Sequence, residues 1–530
     1  MGNPMNKKKS ERHTDTRPDP LRPPDAPRPP RPGQTLKSWA DRIRWPWIMW
    51  IGTALLLFFS RRPLYGLIII DDSFITYTYS KNLVEHGQFV FNLGEKVLAT
   101  TTPLYALLGS IFYLLGADLF YAAPIFNLVL DGVTALFAWL VIRQIFQTGT
   151  HIIYTIFAVL FFLQPYEIWC SAGGMETSLY ILLTVMVVWA GLRDQWALAG
   201  VIAALLMMTR PDGVIIGACV FLYYLIEKRA FPGRGFLAFL ITLAPWIIFS
   251  SIYYGSPIPS SVQAKLVLGE DYVTPVKMRF LEVYYNHYKR HSYLLLAATF
   301  LGLAGMGWAV CRGVKEKNRR LIILVVFFIL FNCAFMLTRT AIAWFWYYIP
   351  LYLVLYIYTG YLCREVIARF RRAAVLVAGF GLAVLLMASL KYLPAEYQRS
   401  RVKSISWDKG LRQPCLWVAQ NTPAHATLMC KTVGLPGYYA NRRIIDPLCI
   451  ASPELLSTYP GKEKAEVETL KKTQPDYFIS WDVKPRSIPS NYSLVKEYTM
   501  PFALIAFNST WLYKRNEPRG SPKIKLGSSD

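Results

Sequence analysis

Between residues 46 and 393 the chain alternates long apolar blocks with short polar breaks. The blocks are 46–69, 119–146, 149–169, 176–192, 195–210, 212–227, 235–254, 292–311, 320–338, 345–363 and 373–393. A helix needs roughly 20 apolar residues to cross a bilayer, so the blocks predict about 11 spanning helices. Those at 195–210 and 212–227 are short for that task. A further apolar stretch, 103–116, is too short to span and predicts a helix lying in the interface. Outside this region the pattern changes. Residues 1–44 are rich in Pro, Arg, Lys and Asp without an apolar run and predict a disordered tail. Residues 394–530 carry short apolar runs at 426–431, 476–480 and 503–507 that read as strands. Residues 407–419 and 453–470 read as helical, and 434–443 as turn-like. This part predicts a small soluble domain, α/β or α+β. The expected division is 1–44, 45–393 and 394–530.

Composition supports the membrane reading. Of 530 residues, 54% are hydrophobic and 15% aromatic, and the mean hydropathy is +0.30. The formal charge of +24 would point to nucleic acid in a soluble chain. Here much of it sits beside apolar blocks, where topology explains it and no nucleic-acid partner is needed. The tail has 11 Lys and Arg against 5 acids, which favours the cytoplasm. If 103–116 does not span, the basic loops 227–229, 312–320 and 364–372 fall on the tail's side, as basic loops prefer. The loops 71–118, 170–176, 210–211, 255–291 and 339–344 and the domain 394–530 then lie outside. Lys and Arg in 256–291 run against that rule. The expected location is a bacterial inner or plasma membrane. Among eight cysteines, none has metal-type or redox spacing. Cys415, Cys430 and Cys449 fall in the last domain, where one pair could bridge in an oxidising compartment.

The polar residues that could carry chemistry gather in the outside loops. Asp71 and Asp72 follow the first apolar block. An ionisable group at a membrane edge is costly and marks function by default. The competing reading is a helix N-cap for residues 74–85, with Gly87 as the stop. That reading needs one Asp, not two. Glu176 lies in Gly173-Gly174-Met175-Glu176-Thr177 and either contacts a ligand or sits at a helix N-terminus, where the dipole favours it. Arg210, in Arg210-Pro211-Asp212-Gly213, offers the planar fork that grips phosphate, or snorkels to the interface. Lys265 ends Gly255-Ser256-Pro257-Ile258-Pro259…Ala264-Lys265 and is a cation for a phosphate or a solvated surface lysine. Trp344, in Trp344-Phe345-Trp346-Tyr347-Tyr348, stacks on a ligand or belongs to an aromatic belt. His86 could merely close a helix. Only six histidines occur, and the one His-x-x-x-His pair, His287 and His291, lacks the adjacent Glu of a His-Glu-x-x-His zinc motif, which argues against zinc. No Gly-rich nucleotide loop occurs.

The run from Asp71-Asp72 through His86-Gly87, Phe89-Val90-Phe91-Asn92-Leu93-Gly94-Glu95 and Thr101-Thr102-Pro103-Leu104-Tyr105 resembles the first outer loop of GT-C glycosyltransferases. It is most similar to the subgroup of the mycobacterial terminal arabinofuranosyltransferase. Glu176, the Arg210 motif, the Lys265 loop and Gly437-Tyr438-Tyr439-Ala440-Asn441-Arg442-Arg443 resemble segments of the same subgroup. The resemblance implies a polytopic enzyme that moves a sugar from a polyprenyl-phosphate donor to an extracytoplasmic glycan, lipid or protein acceptor, with arabinofuranosyl transfer in cell-envelope synthesis as one form. It implies Asp71 as general base and Asp72 as an orienting group or ligand to a divalent cation such as Mg or Mn. It also implies substrate contacts from Glu176, Arg210, Lys265, His86, Tyr438 and Trp344. A transporter is the alternative class. The long outside loops, the outside carboxylate pair and the soluble domain argue against it, and no inverted repeat is visible. An oligosaccharyltransferase would carry a Trp-Trp-Asp motif, which this sequence lacks.

Overall fold

The computed structural model describes residues 51–53, 55–59, 68–146, 151–268, 293–337, 345–461, 464–480, 488–501 and 509–516. The tail 1–44 and Trp344 lie outside these residues, as do the candidate strand at 503–507 and most of the first apolar block. Residues 1–49 separate from the rest as their own unit, and the description below concerns the unit that follows.

The helices fall where the apolar blocks predict them. They are α1 Asp71–His86, α2 Pro103–Leu114, α3 Leu119–Phe146, α4 His151–Phe162, α5 Pro165–Ala172, α6 Thr177–Leu192, α7 Trp196–Thr209, α8 Val214–Lys228, α9 Gly233–Tyr254 and α10 Ser260–Leu268. They continue with α11 Tyr293–Lys315, α12 Ile323–Leu337 and α13 Ile349–Trp407. Among the described residues three helices are long and apolar enough to cross a membrane: Leu119–Phe146, Gly233–Tyr254 and Ile349–Arg369. The bent pair α5–α6, turning by 112°, makes a fourth if it counts as one span. The expected count of about 11 therefore has three or four described helices of full membrane length behind it. α2 is a 12-residue helix, too short to span, and it leaves Ile111, Leu114 and Leu115 exposed.

Two departures from the expected pattern matter for the site. The block at 149–169 is broken: α4 ends at Phe162, and a new helix starts at Pro165. The Gln164 side chain caps that new helix, accepting the Glu167 N–H at 3.0 Å. The blocks at 345–363 and 373–393 merge into one helical run of 59 residues. A straight helix of that length would separate its ends by about 90 Å. Yet the turn Phe345–Tyr347 before its start packs on α5, and Lys403 near its end lies 4.6 Å over the ring of Trp169, also on α5. The run is therefore strongly bent. Helices α7 and α9 come into backbone contact at Gly200 and Gly235, where a Cβ on Gly200 would strike the Gly235 carbonyl, the small-residue contact common between membrane helices.

The carboxyl-terminal domain holds α14 Gln413–Asn421, β1 Thr427–Cys430, α15 Gly434–Tyr439, β2 Arg443–Ile445, α16 Ala465–Thr473, β3 Tyr477–Ser480, β4 Tyr492–Thr499 and β5 Ser509–Arg515. The sheet order is β2-β1-β3-β5-β4. β1 pairs in parallel with β2 and β3, while β5 is antiparallel to β3 and β4. The strands β1 and β3 are buried along their whole length, as continuous apolar runs predict for strands covered on both faces. The turn expected at 434–443 is the short helix α15, with the turn confined to Asn441, whose φ is 49°. Cys415, Cys430 and Cys449 are buried free thiols.

Candidate functional site

The domain docks on α1, and this contact organises the site. α1 carries Asp71 and Asp72 in its first turn, has no side-chain cap, and ends at Gly87 with φ 67°. The Asp71 carboxylate does not cap its own helix. Its Oδ2 accepts the Gly434 N–H at 2.9 Å and its Oδ1 the Leu435 N–H at 2.8 Å, so it binds the first turn of α15 instead. Gly434 is required there, because a Cβ would collide with the Asp71 carbonyl oxygen. Farther along, Lys81 Nζ donates to the Tyr438 carbonyl at 3.1 Å and to Asn441 Oδ1 at 2.6 Å. Asn92 brackets Ile444, donating to its carbonyl and accepting its N–H, each at 2.9 Å. The loop 71–118 and the final domain are thus in contact and share one side of any membrane.

Asp72 points elsewhere. It lines a cavity of about 430 Å3 together with Thr76, Glu176, Arg210, Lys265 and Tyr347. Asp71 is not among the lining residues. The two adjacent carboxylates, expected to work together, face different partners because neighbouring helical positions point about 100° apart. Of the two, Asp72 is the carboxylate that lines the cavity.

Three loops bring the other groups to the cavity. The α5–α6 turn presents Glu176. It is held from α3, where Asn127 Nδ2 donates to the carbonyls of Ser171 at 3.1 Å and Met175 at 2.8 Å. The Ser171 hydroxyl bonds Asp131 Oδ2 at 2.6 Å, and the Tyr105 hydroxyl donates to Asn127 Oδ1 at 2.8 Å. Arg210, at the end of α7, is buried and does not snorkel. Asp212 grips it through Nε at 3.1 Å and Nη2 at 2.8 Å, and Glu176 lies 3.6 Å from Nη1. Its guanidinium stacks 4.4 Å from the Tyr347 ring and 4.9 Å from the Tyr180 ring. Lys265 comes from α10. The Ser260 hydroxyl pins that helix to the Leu98 carbonyl at 3.1 Å and the Ile450 carbonyl at 2.7 Å. Lys265 Nζ meets the Tyr347 hydroxyl at 3.1 Å. Ile450 of the final domain closes one wall.

The electrostatics follow from enclosure. Asp72 is exposed, and what it is exposed to is the cavity, so surrounding protein still strips it of solvent. Desolvation raises its pKa above the ordinary carboxylate value, opposed by the Lys265 charge. Burial likewise raises Glu176, with Arg210 opposing. Burial works against the Lys265 ammonium, but Tyr347 and Asp72 outweigh it and its pKa is raised. Asp71 is pushed up to about 7, chiefly by burial, against the Leu435 and Gly434 N–H bonds.

Among the expected site residues, Asp72, Glu176, Arg210 and Lys265 converge here. His86 does not: it is exposed at the end of α1, 3.7 Å from Glu85. Tyr438 packs against Phe74 and Tyr77 and meets Lys81 through its carbonyl, which accepts from Nζ, and its ring, 5.5 Å from Nζ; it is not among the residues lining the cavity. Asp212, Tyr347, Tyr180 and Ser260 went unmarked. The Arg210-Pro211-Asp212 spacing was the available signal for Asp212. Nothing local distinguishes Tyr347 within its aromatic run. For a divalent cation the donor set is poor. Asp212 is bound to Arg210, Glu176 faces the same guanidinium, and among the described residues no group of three His, Cys, Asp or Glu could hold a metal.

A domain of unknown function (DUF8728) matches residues 396–517. No curated protein matches the chain by sequence. Solved structures do match. The oligosaccharyltransferase AglB from Archaeoglobus fulgidus, with an inhibitory peptide and a dolichol-phosphate, aligns at TM-score 0.55 and 14% identity, covering 83% of this chain and 70% of that one. ArnT from Cupriavidus metallidurans, bound to undecaprenyl phosphate, aligns at TM-score 0.56 and 13% identity over 88% of this chain and 97% of that one. The arabinofuranosyltransferase AftD from Mycobacteria covers 90% of this chain and 40% of that one at 15% identity, and its TM-score of 0.46 carries no argument. At such identities the likeness concerns architecture, and the chain has the fold of the GT-C glycosyltransferases.

Proposed function

We propose that this protein is an integral membrane glycosyltransferase that takes a sugar from a polyprenyl-phosphate donor and passes it to a hydroxyl of an extracytoplasmic glycan, lipid or protein. One observation carries the reading: a single cavity presents a desolvated carboxylate, Asp72, together with a half-buried cation, Lys265. Asp72 takes the proton of the acceptor hydroxyl. The freed oxygen bonds to the anomeric carbon, and the bond from that carbon to the phosphate oxygen breaks. The departing polyprenyl phosphate gains one negative charge. Lys265 stabilises that charge where it develops. Arg210, held by Asp212 and backed by Tyr347, adds a fixed positive field behind it. The raised pKa of Asp72 makes it a better proton acceptor than an exposed aspartate. The mostly apolar lining suits the start of a lipid chain. No step is routed through a metal.

The architecture supports the donor class. The relatives in fold are a protein solved with dolichol-phosphate and one solved with undecaprenyl phosphate. The motifs of the first loop extend the proposal to arabinofuranosyl transfer in cell-envelope synthesis. We place the cavity, the loops around it and the final domain outside a bacterial plasma membrane, with the tail in the cytoplasm. The test is transfer by the purified protein in nanodiscs from a radiolabelled polyprenyl-phosphate pentose or hexose, alongside mass spectrometry of intact envelope lipids and glycans from a deletion strain. Label incorporation together with a missing sugar in the strain supports the reading. Neither donor turnover nor any change in sugar content refutes it.

A further inference from the structure

One wall of the cavity is made of threonines that the mechanism above leaves unused. Thr76 lies one turn beyond Asp72 on the same face of α1, and Thr100, Thr101 and Thr102 line the cavity beside it. Three of these hydroxyls form a chain. Thr76 Oγ1 is 3.0 Å from Thr102 Oγ1, which is 3.1 Å from Thr100 Oγ1. Thr100 Oγ1 also accepts the Thr102 N–H at 3.1 Å. All three residues are buried. The chain holds three hydroxyl protons and its two internal bonds use two of them. Whichever way the bonds run, one of the three hydroxyls keeps an O–H with no protein acceptor among the described residues: an end one when the bonds run head to tail, Thr102 when both ends donate to it. A buried hydroxyl is costly to leave unmatched. Thr102 precedes α2 but its side chain caps nothing, so helix capping does not explain the cluster.

We propose that Thr76, Thr102 and Thr100 form the subsite that reads the hydroxyl groups of the transferred sugar, and that this sugar carries no carboxylate. The proposal rests on the cavity being the glycosyl-transfer site. The chain can reverse its direction as a unit, so it can donate to a sugar oxygen from one end and accept from a sugar hydroxyl at the other. The second half comes from charge accounting. The charged lining residues are Asp72, Glu176, Arg210, Asp212 and Lys265. Asp212 and Glu176 answer Arg210, Lys265 answers the phosphate, and Asp72 is the base. No cation is left to pair with a carboxylate on the sugar, and burying such a group unpaired is strongly unfavourable.

The test uses the full-length protein in nanodiscs with the variants Thr102→Val, Thr76→Val and Thr102→Ser. Valine keeps the shape and removes the hydroxyl; serine restores it. Thermal unfolding and binding of undecaprenyl phosphate, which has no sugar, serve as controls. We expect both valine variants to bind undecaprenyl phosphate as wild type does. Their kcat/KM for a neutral polyprenyl-phosphate sugar should fall about tenfold or more, with serine restoring most of it. Wild type should discriminate against a donor lacking one ring hydroxyl, and Thr102→Val should lose much of that discrimination. Donors carrying a uronic acid should be poor substrates. Wild-type kcat/KM and discrimination in both valine variants overturn the subsite. Efficient use of a uronic acid donor overturns the claim that the sugar carries no carboxylate. A wild-type protein that neither binds undecaprenyl phosphate nor transfers any sugar overturns the glycosyltransferase reading, and the subsite with it.

Discussion

The two neighbouring carboxylates give the sharpest prediction, because one substitution at each should have opposite consequences. Asp72→Asn keeps the size of the side chain and its place in the first turn of α1, but an amide cannot take a proton from an acceptor hydroxyl. Loss of a positioned base costs about 10²–10⁴-fold in rate. The electrostatic change points the other way for the donor: Lys265 loses a neighbouring negative charge and is freer to pair with phosphate. The expected variant therefore binds donor at least as well as wild type and barely turns it over. In Asp71→Asn, one of the two N–H bonds to α15 keeps its acceptor. The other, from Gly434 or Leu435, meets an NH2 group. One buried N–H is left without an acceptor at roughly 1–3 kcal/mol, partly offset by the removal of a carboxylate whose charge burial disfavours; the net is read as a modestly lower melting temperature, with kcat within a few-fold of wild type. Single-turnover transfer, donor binding and melting are measured on the same nanodisc samples. Near-normal turnover in Asp72→Asn, with loss of turnover in a fully folded Asp71→Asn, would refute the reasoning and return the base to Asp71.

Three other predictions follow from the same geometry. Lys265→Gln should weaken binding of undecaprenyl phosphate by roughly tenfold to a hundredfold, the equivalent of one charge-assisted contact; unchanged binding by fluorescence titration removes Lys265 from the phosphate site. The base must be deprotonated to act, so kcat/KM should rise with pH through an apparent pKa above the ordinary carboxylate value, as burial does to Asp72; an acid limb at or below that of an exposed aspartate contradicts the assignment. Asp71 has a folded-state pKa near 7 against 3.8 for the model carboxyl, so the folded state holds the proton more tightly, and its contribution to stability falls as pH rises between about 4 and 7; Asp71→Asn should flatten that slope in melting curves.

The sequence carried the helices well and the site in halves. Long apolar blocks name helices because the solvent of those segments is lipid, and among the described residues most breaks fall where polar residues interrupt the run. The break at Leu163-Gln164 is hard to read because one polar residue before a proline looks like a minor flaw, although Gln164 caps α5 there. The merging of the last two blocks is hard to read because basic residues at 364–372 signal a loop by charge while leaving helix propensity intact. In the site, Arg210 and Lys265 were legible from the cation chemistry that suits phosphate and from the motifs they sit in. The division of labour between Asp71 and Asp72 was not. It depends on Gly434, more than 300 positions away, whose lack of a Cβ lets α15 come up against the Asp71 backbone. Tyr347 was invisible for a similar reason: its role is to lie between Arg210 and Lys265, which only the folded chain brings together.

The docking of the final domain also explains why two acids are present where a cap needs one. α1 is a shared wall. Phe74, Tyr77 and Lys81 meet the domain, with Phe74 and Tyr77 packed on Tyr438 and Lys81 bonded to its carbonyl. Asp72, Ile75 and Thr76 form part of the cavity lining. The two sets are offset around the helix, so rotation of α1 would move both at once. Asp71 fixes that rotation from the domain's side, and Asn92 holds the following loop to β2. Asp72 is then aimed at Lys265 by a contact in which it takes no part. On this view the domain that matches a family of unknown function is a structural member of the site. It sets the angle of the helix that carries the base, and through Ile450 and its bond to Ser260 it also sets the position of the helix that carries Lys265.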